Sequence, residues 1–180
     1  MIARRYPVVL SEKGKRLKNR AAYFGVFAAL ALILSYVETL IPVNFGIPGA
    51  KLGLANLVIV VVLYKTDFKE AMLLSVTRVV LAGFIFGNLF GILYSLAGAV
   101  LSLIIMNILK PKSSLSVIGV SIAGGVSHNI GQLIMAMIAV ETYQVGYYLP
   151  ALLIAGVITG ALIGIVCREV LKRIGNITFT

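Results

Sequence analysis

From residue 21 to residue 167 the chain is a succession of long apolar runs separated by short polar breaks, and no other feature restricts its possible folds as severely. About twenty apolar residues in a helix, rising 1.5 Å each, cross a hydrocarbon layer about 30 Å thick. Backbone N–H and C=O groups cannot stay unpaired in that layer, so such runs are read as helices packed in lipid. Of 180 residues, 60% are apolar and only 12% are charged, with a mean hydropathy of +1.04. Ordinary soluble domains carry roughly 25% charged residues. This composition excludes a water-soluble fold.

The first run, residues 21–41, is stopped by Pro42, and Pro42, Gly46, Pro48 and Gly49 make the next stretch a loop. Residues 52–64 form a second run of 13 residues, which is short for a span. Either the bilayer is thin there, or the helix recruits part of residues 47–51 while Lys51 snorkels outward. A third run covers residues 67–87, with Asp67 at the N-cap and Glu70 in the first turn. Residues 79–109 stay apolar for 31 residues, too long for one crossing, so the chain is expected to turn at Gly87-Asn88 and re-enter as residues 89–109. The fifth run is residues 117–140, followed by a polar, tyrosine-bearing loop at 141–148. The sixth is residues 149–167, with Pro150 tolerated in its first turn. The expected fold is an all-α integral membrane protein of six transmembrane helices, one bundle over residues 21–173 between a basic tail, 1–20, and a short tail, 174–180.

Six spans place the N-terminal tail, the Lys65–Lys69 region, the Lys110 and Lys112 loop and the C-terminal tail on one side. These hold seven, two, two and three basic residues, fourteen of the sixteen in the chain, whereas the other side has Lys51 alone and Arg78 lies within the third span. The positive-inside rule then puts both termini in the cytoplasm of a bacterial inner membrane. The same spacing explains the net charge of +10 without a nucleic-acid partner, because the cations alternate with apolar runs and form no patch. Cys167, the sole cysteine, reads as a small apolar residue near the cytoplasmic face.

Catalytic and energising motifs are missing. The chain has no phosphate-cradling G-x-x-x-x-G-K-[ST] loop, so energy for any transport must come from a partner. Asp67 is the only aspartate, which leaves no carboxylate cluster to hold magnesium against a diphosphate. One histidine and one cysteine on different spans form neither a metal site nor a nucleophile and base pair. No catalytic residue, cofactor or metal is expected.

Ionisable and amide side chains within lipid are costly, and they concentrate at central and outer depths here: Glu38, Arg78, His128, Asn129 and Gln132. His128 and Gln132, four apart, share a helix face. Two readings stand. In one, Glu38 pairs with Arg78 and the fifth-span residues bond neighbouring helices as packing contacts. In the other, these residues line a pocket open to the outside, where Arg78 and Lys51 favour an anionic small molecule that His128 and the amides orient. Small residues recur every fourth position at Ala21, Gly25 and Ala29, permitting close approach either within the bundle or by another membrane subunit. Gly156, Gly160 and Gly164 form a second such stripe, read as internal packing.

The segment AAYFGVFAALALILSYVE, residues 21–38, followed by PGAKLGLAN, residues 48–56, resembles the membrane family known as heptaprenyl diphosphate synthase component I or the Gx transporter family. That family is similar to the substrate-binding S components of energy-coupling factor transporters. The resemblance covers the chain from Ala21 to about Arg173. It implies a subunit that captures a vitamin-type or precursor molecule from outside and delivers it through a transmembrane coupling subunit driven by two ATPases. It implies coupling contacts at Ala21, Gly25 and Ala29, where glycine replaces alanine in the middle of the stripe, and substrate contacts drawn from Lys51, Asn56, Arg78, Asn88, His128, Asn129 and Gln132. The family's enzymatic name implies an alternative, a noncatalytic membrane subunit of polyprenyl diphosphate or quinone synthesis.

Overall fold

A computed structural model describes residues 12–41, 53–111 and 115–175. Six helices follow one another: α1 (Glu12–Leu40), α2 (Leu54–Lys65), α3 (Phe68–Phe86), α4 (Leu89–Leu109), α5 (Val117–Val140) and α6 (Leu149–Ile174). A short 3₁₀ segment, Tyr143–Tyr148, leads into α6. The described residues contain no strand. Four stretches are long and apolar enough to cross a membrane, Asn19–Leu40, Leu89–Leu109, Val117–Val140 and Tyr143–Ile174. α3 carries Lys69, Glu70 and Arg78, and α2 is apolar but short. The chain is a multi-pass membrane protein.

The turn expected at Gly87-Asn88 is present. Gly87 ends α3, and the Asn88 side chain caps α4 by accepting from the Gly91 N–H at 2.7 Å. Other boundaries differ. α1 starts at Glu12, before the apolar run, and α6 continues past Cys167 to Ile174, so the helices extend into the basic segments at that end. Asp67 occupies the N-cap position of α3 without a side-chain cap bond, and Glu70 pairs with Arg20 instead. α2 starts at Leu54 behind Gly53, whose left-handed backbone (φ 74°) occupies the N-cap position, and residues 47–51, the expected extension, lie outside the described residues. At twelve residues it is about 18 Å long, too short for the hydrocarbon layer. It tolerates this because protein rather than lipid surrounds it: α1, α3 and α6 pack on it and Val58 through Leu63 are all buried.

α1, α3, α4, α5 and α6 follow one another around the bundle, each packed on the next, and α2 sits against α1, α3 and α6. α5 and α6 make the closest approach. A Cβ on Gly160 would lie 2.7 Å from Ile122 Cα, and one on Gly164 2.7 Å from Ile118 Cα. The second small-residue stripe is therefore internal packing. The first is not: Ala21, Gly25 and Ala29 are exposed, and a Cβ on Gly25 would meet nothing within 4 Å.

Cations gather where α1 and α3 begin and α2, α4 and α6 end. Lys110 donates to the Leu63 carbonyl at 2.6 Å and lies 5.6 Å over the Tyr64 ring, and Lys65 donates to the Gly175 carbonyl. Burial pushes the Lys110 ammonium below its ordinary range, and the charge of Asp67 opposes that shift. Positive charge beside the final carbonyls of α2 and α6 complements the helix dipoles, and these contacts tie together one end of the bundle.

Candidate ligand-binding site

At the other end, α1 to α5 surround a cavity of about 210 Å³. Its rim is set by the exposed helix ends at Thr39, Ile41, Gly87 and Asn88. Tyr36 and Phe86, with ring centroids 5.1 Å apart, close the gap between α1 and α3. The volume lies below the roughly 300–1,000 Å³ usual for drug-sized ligands, so it fits a small metabolite or one headgroup.

Each helix contributes polar chemistry. α1 supplies Ser35 and Glu38, α2 supplies Asn56, and α3 supplies Arg78 from its middle. From α5 come His128 and Gln132, one turn apart. Arg78 donates through a terminal guanidinium nitrogen to the Asn56 carbonyl oxygen at 3.1 Å. Glu38 accepts from the backbone N–H of Gly53. These are the first turn of α2 and its cap, so one short helix positions both charged groups.

Gly53 is required twice over. Its φ of 74° is a conformation that L side chains rarely adopt, and a Cβ there would lie 3.1 Å from Ile163 Cδ1 of α6. Gly98 of α4 likewise makes room for the α5 residues: a Cβ there would stand 2.7 Å from Gln132 Cγ and 2.8 Å from the His128 carbonyl oxygen.

Hydrogen bonding separates this site from the remainder of the interior. Deep hydroxyls are satisfied by backbone carbonyls, Ser102 on Gly124 at 2.8 Å, Ser127 on Ala123 at 2.6 Å and Thr159 on Ala155 at 2.9 Å. Ser35 Oγ and Arg78 Nε, both buried and both on cavity-lining residues, have no hydrogen-bond partner among the described residues. Each unmet buried group costs about 1–3 kcal/mol, so unspent hydrogen-bonding capacity is concentrated at the cavity.

The Glu38–Arg78 ion pair of the packing reading does not form. Among the described residues the ion pairs are Arg20–Glu70, Arg168–Glu169 and Lys172–Glu169. Five expected site residues, Asn56, Arg78, Asn88, His128 and Gln132, do line one cavity, although the Asn88 carbonyl oxygen is engaged as the α4 cap. Asn129 is turned away. Its amide donates to the Leu152 carbonyl at 2.7 Å, and it lines an adjoining cavity of about 40 Å³ toward α6, which shares Gly53, Asn56, His128 and Gln132 with the first and holds about one or two waters. Lys51 lies outside the described residues. Ser35, Gly53 and Gly98 carry no assigned role in the sequence: Gly53 belongs to the PGAKLGLAN segment, but its left-handed backbone, like the positions of Ser35 and Gly98, is evident only once the helices are packed.

A family model described as heptaprenyl diphosphate synthase component I matches residues 27–170. The chain belongs to that family. In this member of the heptaprenyl diphosphate synthase component I family, the matched region contains every polar residue named in the cavity, from Ser35 to Gln132, and Ala29 of the α1 stripe. Ala21 and Gly25 precede it. No curated protein and no solved structure matches the chain.

Proposed function

We propose that this protein is a noncatalytic, substrate-capturing membrane subunit of the energy-coupling factor type, which binds a small molecule bearing an anionic group and passes it to a coupling subunit with two ATPases. The observation that carries the reading is Arg78: a guanidinium at mid-helix depth, facing a polar cavity, with one nitrogen on Asn56 and, among the described residues, no ion pair and no partner for Nε. A permanent cation held this way favours a carboxylate or phosphate strongly, because low dielectric magnifies the attraction and water competes poorly. The cavity lies away from the basic clusters, which the positive-inside rule assigns to the cytoplasm, and so takes its ligand from outside. Ala21, Gly25 and Ala29 face outward on α1, where a coupling subunit could approach closely.

The family description supports a second reading, a noncatalytic membrane subunit that assists a heptaprenyl diphosphate synthase. There Arg78 would meet a diphosphate or another anionic headgroup. Direct prenyl transfer is not part of either reading, since Asp67, the only aspartate in the chain, lies at the opposite end from Arg78's cavity.

Purification of the tagged protein from native membranes in mild detergent, followed by mass spectrometry of its partners, separates the two. Recovery of a transmembrane coupling subunit with two ATPases is expected. Recovery of a prenyl synthase subunit instead would replace the first reading with the second.

A further inference from the structure

The cavity contains an acid as well as a base. Glu38 and Arg78 line the same space, yet the structure holds them apart: Glu38 on the Gly53 N–H, Arg78 on the Asn56 amide oxygen. No ion pair joins them, and all three ion pairs among the described residues lie at the other end of the bundle. Two opposite charges in one confined space attract each other, and an arginine has the reach and flexibility to pair with a neighbouring carboxylate. Here the cap and first turn of α2 act as a spacer between them.

Beyond its contact with the cap of α2, Glu38 is a cost to a site for a simple anion, because its charge repels such a ligand. A ligand with separated charges of both signs gains at both ends. Accordingly, and resting on the capture reading above, we infer that the ligand is dipolar: its carboxylate or phosphate meets Arg78 and its ammonium group meets the Glu38 carboxylate, with Ser35 and Gln132 beside its neutral polar groups. The class is that of amino acids, betaines and similar zwitterions small enough for about 210 Å³. Glu38 is then the specificity-determining residue, because it separates a zwitterion from the corresponding plain acid.

The test uses the purified full-length protein in lipid nanodiscs and three pools at equal concentration: amino acids and betaines, the matching carboxylic acids without the amine, and the matching amides without the carboxylate. Thermal stabilisation ranks the pools, and the best compound is titrated against wild type, Glu38→Gln and Arg78→Gln. Glutamine keeps the side-chain oxygen that accepts from Gly53, so the cap of α2 survives the first substitution. The expected result is strongest binding in the zwitterion pool, weakened about tenfold or more by either substitution, with Glu38→Gln narrowing the preference for the amino acid over its plain acid. Strongest binding in the carboxylic-acid pool, unchanged or tightened in Glu38→Gln, overturns the inference, reduces Glu38 to a cap on α2 and leaves the capture reading standing. Binding from no pool counts against both. Should Glu38→Gln fail to fold, the wild-type ranking of the pools decides alone.

Discussion

Arg78 and Gly53 represent opposite kinds of residue, one visible in the sequence and one hidden by it. A lone guanidinium among nineteen mostly apolar residues of α3 is conspicuous in any reading of the chain, because lipid penalises charge so heavily. Its partner was not legible. Charge alone points to Glu38, but the structure gives Arg78 an amide oxygen and gives Glu38 a backbone N–H. The reason is geometric: backbone donors at the start of a helix have no side chain to betray them, so their claim on a carboxylate appears only after folding. Gly53 owes its role to the same corner. Gly53→Ala forces a side chain into the left-handed region and against Ile163, 3.1 Å away. It should destabilise the protein by about 1–2 kcal/mol, measurable as a lowered melting temperature in detergent, and should also disturb the contact with Glu38.

Elements were easier to read than residues. Hydrophobic run length located all six helices, and the glycine-asparagine pair divided the run of 31 apolar residues at the observed place. Helix ends escaped it in the basic segments, since apolarity defines what lipid covers and not where backbone hydrogen bonding stops. The two small-residue stripes show the limit of pattern alone. Both have four-residue spacing, but Gly160 touches the backbone of α5 and Gly25 faces open space. Gly160→Leu should therefore separate α5 from α6 and cost about 1–3 kcal/mol or more. Ala29→Leu, on an exposed position, should leave the melting temperature within error of wild type while lowering recovery of the coupling subunit in a pull-down. Equal partner recovery in that variant would show that this face of α1 is ordinary lipid-facing surface.

For the molecule as a whole, the contacts of Arg20, Lys65 and Lys110 gather at one end and the polar cavity at the other, a polarity that charge counting anticipated. The orientation makes a direct prediction. In a Cys167→Ser background, a cysteine placed at exposed Tyr147 should react with a membrane-impermeant maleimide in intact cells, whereas one placed at exposed Ser116 should react only after permeabilisation. Native Cys167 itself is fully buried, with Sγ 3.4 Å from the Leu57 carbonyl, and should label slowly from either side. The opposite pattern would invert the bundle and turn the cavity toward the cytoplasm.

Capture of an anionic group by Arg78 can be followed by purifying wild-type and Arg78→Ala protein from the same membranes and identifying the small molecules each retains by native mass spectrometry. The wild type should carry a bound species with a carboxylate or phosphate, and Arg78→Ala, folded to the same extent, should have lost it. An identical bound complement in the two proteins would mean that Arg78 captures no anion and is a structural residue held by Asn56.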